Sequence, residues 1–483
     1  MKFLLALMRN PFTLAGSLLL GLVVGKLAPG VVPLLDAVSQ TYLDLLNLGA
    51  VPLIVVCVFL GLRRILSLPH ASMRLGGLVV GGWVAEIGCA LLAAILAHAV
   101  GCGRGMTPRE VSALGAISLR QDPVEIVSLQ PEPVAAAASH GLLSVPDNFF
   151  NVLAYGSLRA VMLCAVFFAV AFAVQPQAQA RWLQAQLEPI YRTLELLIDR
   201  LNDFLPVVAF ALAASVASQA TPENLLLMRS FLLPYLATVA LMAWACVLAM
   251  ATHLGQPTMA VLQALRKPLV VSLFATGPTA AIPGFIQGMC NQLGFRRDLV
   301  EFGAPLGPAF LRAGEAVFFA VLAVFAANLY GRSLGPTDLF VIAWFATLGA
   351  LVSANSAGAQ SVTAGVLYLG YLDLPMEALL PAFVLLEVIF RGPRNVLTIL
   401  LSGALLALVS KGLPSEKPAV TPSMAQAAGA PVRFVLTRGR ALAAAALVVL
   451  AMASAYLAGL GLGMRQSPIT APMSPAAARN LKP

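Results

Sequence analysis

A small set of ionisable side chains lies within the long apolar runs of this chain, and these are the residues whose types could do chemistry. Arg391 and Arg394 share one apolar run with Asn395. A guanidinium group offers a planar fork of donors that matches a carboxylate. We therefore predict Arg391 as the main ligand of an organic anion, with Arg394 adding positive potential and Asn395 binding a second carboxylate. A purely structural Arg391 is the alternative.

Three carboxyl groups in similar surroundings are candidates for coupling to protons: Glu86, Glu315 and Glu387. An ionisable group inside a membrane span costs about 2.5 to 3.5 kcal/mol, so each one is a functional candidate. Burial favours the neutral carboxyl and a nearby arginine favours the charged one, which together allow proton uptake and release. The alternative is an internal ion pair that only neutralises charge, such as Arg312 with Glu86 or Glu387 with Arg391.

Two apolar segments of the second half, 267–293 and 338–371, are interrupted in the middle. Broken helices at membrane depth occur where the backbone is buried in protein or lines a watery cavity. A pair of such breaks points to the binding site of a transporter, where helix ends offer backbone N–H groups. Two ordinary kinked helices are the alternative. The predicted site residues are Thr276, Gly277 and Thr279 at the first break and Ser353, Asn355 and Gly358 at the second.

The composition is that of an α-helical membrane protein with many spans. Of the 483 residues, 59% are apolar and 11% are charged, against about 25% charged in soluble domains. A bilayer core of about 30 Å needs about 20 apolar residues per helix, and such stretches recur along the chain. The net charge of +9 comes from short clusters of Lys and Arg between apolar runs. This pattern sets membrane orientation and does not indicate nucleic-acid binding.

The sequence contains no signature of catalysis, of a metal site or of a cofactor. Its six cysteines are scattered and form no CxxC pair. There is no phosphate-binding loop, no nucleophile paired with a base and no zinc motif. We therefore predict neither an enzyme nor a bound metal or cofactor.

Apolar runs and polar breaks predict eight spans, two re-entrant hairpins and one further C-terminal span. Positive residues then fall on one side, which places the N-terminus in the cytoplasm and the C-terminus outside. Arg159 lies near the outer end of a span, where we expect its side chain to snorkel to the interface. The predicted parts are spans near 12–34, 41–62, 75–100, 151–174, 194–216, 231–253, 299–329 and 376–408, the extracytoplasmic loop 101–147, the cytoplasmic linker 412–438, the extra span 439–464 and the tail 465–483.

This order of elements resembles the dicarboxylate/amino acid:cation symporter family, which has the glutamate transporter fold. The best resemblance at the site is Arg391 followed four residues later by Asn395, similar to the pair that clamps substrate carboxylates in that family. The other similar positions are 145–148, 153–154, 167–169, 205–206, 210–212, Leu306, Gly307 and Gly314.

The resemblance implies a homotrimeric secondary transporter with elevator-type alternating access. It implies a transporter domain over 1–410, with a scaffold from 12–62 and 147–217 and a mobile transport domain from 75–100 and 226–410, including both hairpins. The family's Asn-Met-Asp-Gly-Thr motif reads Leu-Arg-Ala-Gly-Glu at 311–315. Leu and Ala have no side-chain oxygen for Na⁺, so we expect coupling to protons and not to sodium.

We therefore predict a symporter that moves a small organic anion, a dicarboxylate or an acidic amino acid, across the bacterial inner membrane. Its predicted partners are the anion, the coupling proton, the lipid bilayer and further copies of the chain, and no nucleic acid. The alternative is a transport-incompetent membrane sensor or interaction scaffold with the same fold. Loss of several ligand positions favours that alternative, whereas retention of Arg391, Asn395 and both breaks opposes it.

Overall fold

The computed structural model describes most of the predicted transporter domain. The chain divides into two units, Met1–Ala419 and Val420–Pro483, and every described residue belongs to the first. The linker 412–438, the extra span 439–464, the tail 465–483 and nearly all of the loop 101–147 lie outside the described residues. The described residues are 11–66, 70–104, 106, 110, 148–155, 158–219, 228–275, 277–353, 379, 383 and 387–411.

Every regular element in these ranges is a helix. Short 3₁₀ segments cover Pro29–Val31 and Pro278–Ala281, and a π-helical turn covers Gly288–Gln292. The α-helices are α1 (Pro11–Leu27), α2 (Val32–Leu66), α3 (Ala71–Val100), α4 (Phe149–Tyr155), α5 (Leu158–Ala173), α6 (Gln177–Asn202), α7 (Leu205–Gln219), α8 (Arg229–Leu254), α9 (Thr258–Phe274), α10 (Ile282–Gln287), α11 (Arg297–Phe310), α12 (Ala313–Leu329), α13 (Pro336–Ser353) and α14 (Glu387–Val409).

Six helical stretches in the described part of the chain are long and apolar enough to cross a bilayer. Three shorter apolar helices accompany them, within α1, α5 and α7. This agrees with the predicted all-helical membrane protein with many spans. The six stretches are Val32–Leu66, Ala71–Val100, Arg229–Leu254, Arg297–Leu329, Pro336–Ser353 and Ile389–Val409.

Two predicted spans are interrupted where the sequence suggested continuous helices. The predicted span 194–216 is divided at Asp203 and Phe204, because α6 is an amphipathic helix that ends before the apolar α7 begins. The predicted span 299–329 is divided at Leu311 and Arg312, between α11 and α12. Hydropathy misses the second break because apolar residues continue on both sides of it.

The helices pack in two groups that meet along α2. One group consists of α1, α2, α5, α6 and α7, in which α2 packs against α5, α6 and α7. In the other group, α12 packs against α3, α13 and α14, and α14 also packs against α8, α9 and α11. At the junction α2 packs along α11. A Cβ at Gly61 would lie 3.0 Å from the backbone nitrogen of Phe302, so a glycine there permits this close approach.

The first predicted interruption is an antiparallel helical hairpin. A Cβ at Gly284 would lie 3.8 Å from Pro268, and one at Gly288 would lie 2.9 Å from the carbonyl oxygen of Ala264. In each pair the two residues lie equally far before and after position 276 in the sequence. The chain therefore reverses direction inside the predicted break. The second predicted hairpin is described as far as Ser353, where α13 ends.

Candidate functional site

The break between α11 and α12 is the centre of the site. Pro305 and Pro308 lie inside α11 and remove two backbone donors from it. The amide of Leu311 still donates to the carbonyl of Gly307 at 2.7 Å, but Arg312 has the non-helical angles φ −100° and ψ 59°. The negative end of α11 therefore meets the positive end of α12 inside the protein.

A bridged ion pair occupies this break. Arg312 Nη2 lies 2.7 Å from Glu315 Oε1, and Arg394 Nε lies 3.3 Å from Glu315 Oε2. The side chains of Glu315 and Arg394 are 3% and 1% exposed. The Arg394 guanidinium also lies over the ring of Phe318, with 4.9 Å between its central carbon and the ring centroid. The internal ion pair of Arg312 is thus with Glu315, one helical turn away, and among the described residues no ion pair joins Arg312 to Glu86.

Glycines bring the backbones of three helices together beside the ion pair. A Cβ at Gly314 would overlap the carbonyl group of Arg394, so α12 and α14 touch through main-chain atoms. The amide of Gly314 donates to Thr398 Oγ1 at 3.2 Å. A Cβ at Gly392 would likewise overlap the carbonyl oxygen of Leu273 near the end of α9. The start of α12 and the end of α9 therefore both lie against α14.

Asn395 lies at the end of the first arm of the hairpin. Its Nδ2 donates to the carbonyl oxygen of Ala275 at 3.0 Å, and the residue is 2% exposed. Gly277 follows in extended conformation, and a Cβ there would meet no atom of the described residues within 4 Å. Thr279 lies in the 3₁₀ turn and is half-buried, whereas Thr276 lies outside the described residues. Gly277 thus lies next to α14.

Two arginines hold the end of α13 at the second break. Arg312 Nη1 donates to the carbonyl oxygen of Ser353 at 3.0 Å, and Arg159 Nη1 donates to that of Leu351 at 2.8 Å. Arg159 is 4% exposed. The expectation that it snorkels to the interface is therefore wrong, because the last carbonyl groups of α13 provide buried acceptors for it. Asn355 and Gly358 lie outside the described residues.

Glu86 on α3 faces the same break. The residue is 2% exposed, its carboxyl lies close enough to Arg312 and Glu315 to interact electrostatically with both, and its Oε1 has no hydrogen-bond partner among the described residues. One turn earlier, a Cβ at Gly82 would overlap the side chain of Leu311. The close packing at Gly82 therefore brings Glu86 to the ion pair.

The other predicted residues lie at the start of α14. Arg391 is half-buried, in contrast to the almost fully buried Arg394. Glu387 begins α14, and its side chain lies outside the described residues. Sequence reasoning missed Thr398, although its position four residues after Arg394 puts both on one helix face. In the described ranges no three His, Cys, Asp or Glu residues form a group that could hold a metal ion.

A helical membrane protein with many spans, whose broken helices meet at a buried charged site, has the architecture of a secondary transporter. The model of the sodium:dicarboxylate symporter family matches residues 11–411, and the chain belongs to this family. The resemblance inferred from the sequence is thereby confirmed.

Curated relatives carry transporter names. The C4-dicarboxylate transport protein of Rhizobium johnstonii is 21% identical over 355 residues, which cover 71% of this chain and 75% of that protein. The proton/sodium-glutamate symport protein of Bacillus caldotenax is 23% identical over 375 residues, covering 75% of this chain and 85% of that protein. A C4-dicarboxylate transport protein of Rhizobium meliloti is 21% identical over 351 residues, covering 71% and 76%.

Proposed function

We propose that this protein is a secondary active symporter that moves a small organic anion, a dicarboxylate or an acidic amino acid, together with protons. Membership in the symporter family and the names of the relatives support the anion class. The observation that carries the proposal is the buried cluster of Arg312, Glu315 and Arg394 at the helix break, with Glu86 beside it.

The charge of this cluster provides a reason for coupling. Two guanidinium groups and the carboxylate of Glu315 sum to one positive charge. An ionised Glu86 cancels that charge, and a protonated Glu86 restores it. An anion therefore binds more favourably when Glu86 carries a proton, and by linkage the proton binds more favourably when the anion is present. Binding of one partner promotes binding of the other, as symport requires.

Arg391 is the proposed ligand of the substrate carboxylate. Arg394 is held by Glu315 and Phe318, whereas Arg391 keeps partial exposure on the same helix. Asn395 places α14 beside Gly277 at the hairpin turn. In the proposed complex the anion lies between Arg391 and the hairpin ends, which supply backbone donors from Thr276, Gly277 and Thr279 and from the second break at Ser353, Asn355 and Gly358.

Proton coupling in place of sodium coupling follows from the side chains at the break. Leu311 and Ala313 are buried there and offer no side-chain oxygen to a hard cation. Arg312 supplies a permanent positive charge at the same point. Glu315 is held between two arginines, so Glu86 is the proposed proton acceptor, with Glu387 as a further candidate.

The two packing groups support an elevator mechanism. In the proposed motion α3, α8 and the helices from α9 to α14 slide as one body against α1, α2, α5, α6 and α7. The hairpin of α9 and α10 is proposed to be re-entrant, because this places the Lys and Arg clusters on one side. Family membership supports a homotrimer in the bacterial inner membrane, with a cytoplasmic N-terminus and an extracytoplasmic C-terminus.

The test is uptake of radiolabelled dicarboxylates and acidic amino acids into proteoliposomes, under separate proton and sodium gradients. We expect uptake of at least one anion, driven by an inward proton gradient, and a loss of more than tenfold in Arg391→Ala, because a bidentate charged hydrogen bond contributes about 1.5 to 3 kcal/mol. Lys267→Ala, which changes a cation on α9 outside the charged cluster, is the control. Uptake driven only by sodium would contradict proton coupling.

One observation favours a membrane sensor or scaffold as a second candidate. Arg394 and Asn395 are both engaged within the protein, with Glu315 and with the carbonyl of Ala275. A sensor would bind the anion without moving it. Anion-dependent thermal stabilisation of the purified protein, combined with no uptake and no exchange of that anion, would support this candidate over transport.

A further inference from the structure

We propose that Arg159 is a positioning residue that couples the second hairpin to the opposite helix group. Its side chain reaches from α5 to the C-terminal end of α13 and donates to Leu351 across 192 positions of sequence. The proposed consequence is that this contact stabilises the closed position of the α13 end against α5, and that it must break before α13 moves. The inference rests on the proposed transport function.

The end of α13 is a place where a cation is favoured. The last carbonyl groups of a helix have no intrahelical donor and carry the negative end of the helix dipole. Leu351 and Ser353 are in this last turn, and each carbonyl oxygen accepts from a different buried arginine. The two arginines therefore supply buried donors to the carbonyl groups of the last described turn of α13.

The two arginines come from different helix groups. Arg312 belongs to the break before α12, and α12 packs along α13, so Arg312 travels with the hairpin in any group movement. Arg159 belongs to α5, which packs on α2 in the other group. Sliding of one group past the other thus leaves the Arg312 contact intact and separates Arg159 from Leu351. Of the two arginines, Arg159 is therefore the one whose contact with α13 depends on the relative position of the two helix groups.

The contact also connects the hairpin to the charged cluster. Arg312 donates to Ser353 with one guanidinium nitrogen and pairs with Glu315 through the other. The end of α13 is therefore clamped between the cluster on one side and Arg159 on the other. A change of charge at the cluster alters the hydrogen bond from Arg312 to Ser353. Arg159 then limits how far the end of α13 can move.

Hydrogen–deuterium exchange of the full-length protein in lipid nanodiscs tests this role without requiring transport. In Arg159→Met we expect the amides of the last two turns of α13 to exchange about tenfold faster, corresponding to about 1.4 kcal/mol for the lost hydrogen bond. Peptides from α8 should be unchanged. In Arg159→Lys, which keeps one charged donor, the increase should be about threefold.

Arg63→Met is the matched control. Arg63 Nη1 donates to the carbonyl oxygen of Phe172 at 2.9 Å, near the end of α5, and both helices belong to one group. Its replacement should raise exchange at the end of α5 and leave α13 unchanged. Unaltered exchange at α13 in Arg159→Met, or a uniform increase in all helices, would overturn the proposal. If Arg159→Met does not fold, unchanged hydrogen exchange at the end of α13 in Arg159→Lys would overturn the proposal in the same way. If Arg159→Met raises hydrogen exchange only at the end of α13 while the wild type takes up no anion, the result would count against the proposed transport and not against this role of Arg159.

Discussion

Glu315 is the residue on which both buried guanidinium groups of the site depend. Insertion of each charged group into a membrane span costs about 2.5 to 3.5 kcal/mol. Glu315 reduces this cost for Arg312 and Arg394 together, with Oε1 on one and Oε2 on the other. Its location in the first turn of α12 adds the favourable field of the helix N-terminus. These two features engage both carboxylate oxygens of Glu315, so Glu86 is the carboxyl group that we propose exchanges the proton.

Glu86→Gln tests this division of roles. Glutamine has the shape of a neutral glutamic acid, so the variant should bind the anion as the protonated protein does, and it has no proton to release. Uptake by the wild type should rise as the external pH is lowered at fixed internal pH, whereas in Glu86→Gln it should be independent of external pH. Exchange of external for internal anion should continue, because it needs no net proton movement.

Asp338→Asn is the control for Glu86. Asp338 accepts a hydrogen bond from the amide of Gly335 at the start of α13, away from the charged cluster. This variant should keep the pH dependence of the wild type. Retention of proton-driven uptake in Glu86→Gln would show that another carboxyl group, such as that of Glu387, takes the proton.

At the scale of the helices, a single glycine, Gly314, permits the close approach of α12 to α14. We predict that Gly314→Ala lowers the free energy of unfolding by about 1 to 3 kcal/mol, the usual cost of overpacking, because the new Cβ overlaps the backbone of α14 at Arg394. Thermal unfolding in detergent measures this change. Gly88→Ala is the matched control, since a Cβ at Gly88 would meet no described atom within 4 Å. Equal unfolding temperatures for the two variants would contradict the close approach.

The two helix breaks differ in how well the sequence predicted them. Gly277 and Pro278 mark the first break locally, because neither continues a helix well, and the structure reverses direction there. The break at Leu311 and Arg312 has no such residue at its centre. It depends on two prolines upstream and on partners distant in sequence, such as Thr398 and Ser353. Contacts of this kind are absent from any local pattern.

The same distinction applies to the site residues. Rarity of charge inside apolar runs was enough to single out Glu86, Glu315 and Arg394, and the structure brings these three together. The partners of the neighbouring donors were not predictable, because Arg312, Asn395 and Arg159 each donate to a backbone carbonyl, which every residue has. Arg159 shows what residue types alone cannot predict. Its partner Leu351 has no polar side chain, so residue types alone suggested an interfacial location.

At the scale of the whole molecule, the two helix groups are joined by ion pairs as well as by close packing. Arg64 at the end of α2 lies 3.0 Å from Glu188 of α6 and 3.0 Å from Glu301 of α11. Arg297 at the start of α11 lies 3.5 Å from Glu195 of α6. An elevator movement must exchange these contacts for others. The interface between α2 and α11 is therefore where a covalent link should stop the motion.

A disulfide between Gly61→Cys and Phe302→Cys provides that link, in a chain whose six native cysteines are replaced. A Cβ at Gly61 lies 3.2 Å from the Cβ of Phe302, slightly closer than the usual ~3.5 to 4.5 Å of a disulfide. We expect oxidation to form the bond and to reduce anion exchange at least tenfold, with recovery after reduction. The same oxidation of Gly21→Cys with Ala213→Cys, which joins α1 and α7 within one group, should leave exchange unchanged. Undiminished exchange in a fully oxidised α2–α11 pair would mean that these helices do not slide, and the moving boundary would then lie elsewhere in the protein.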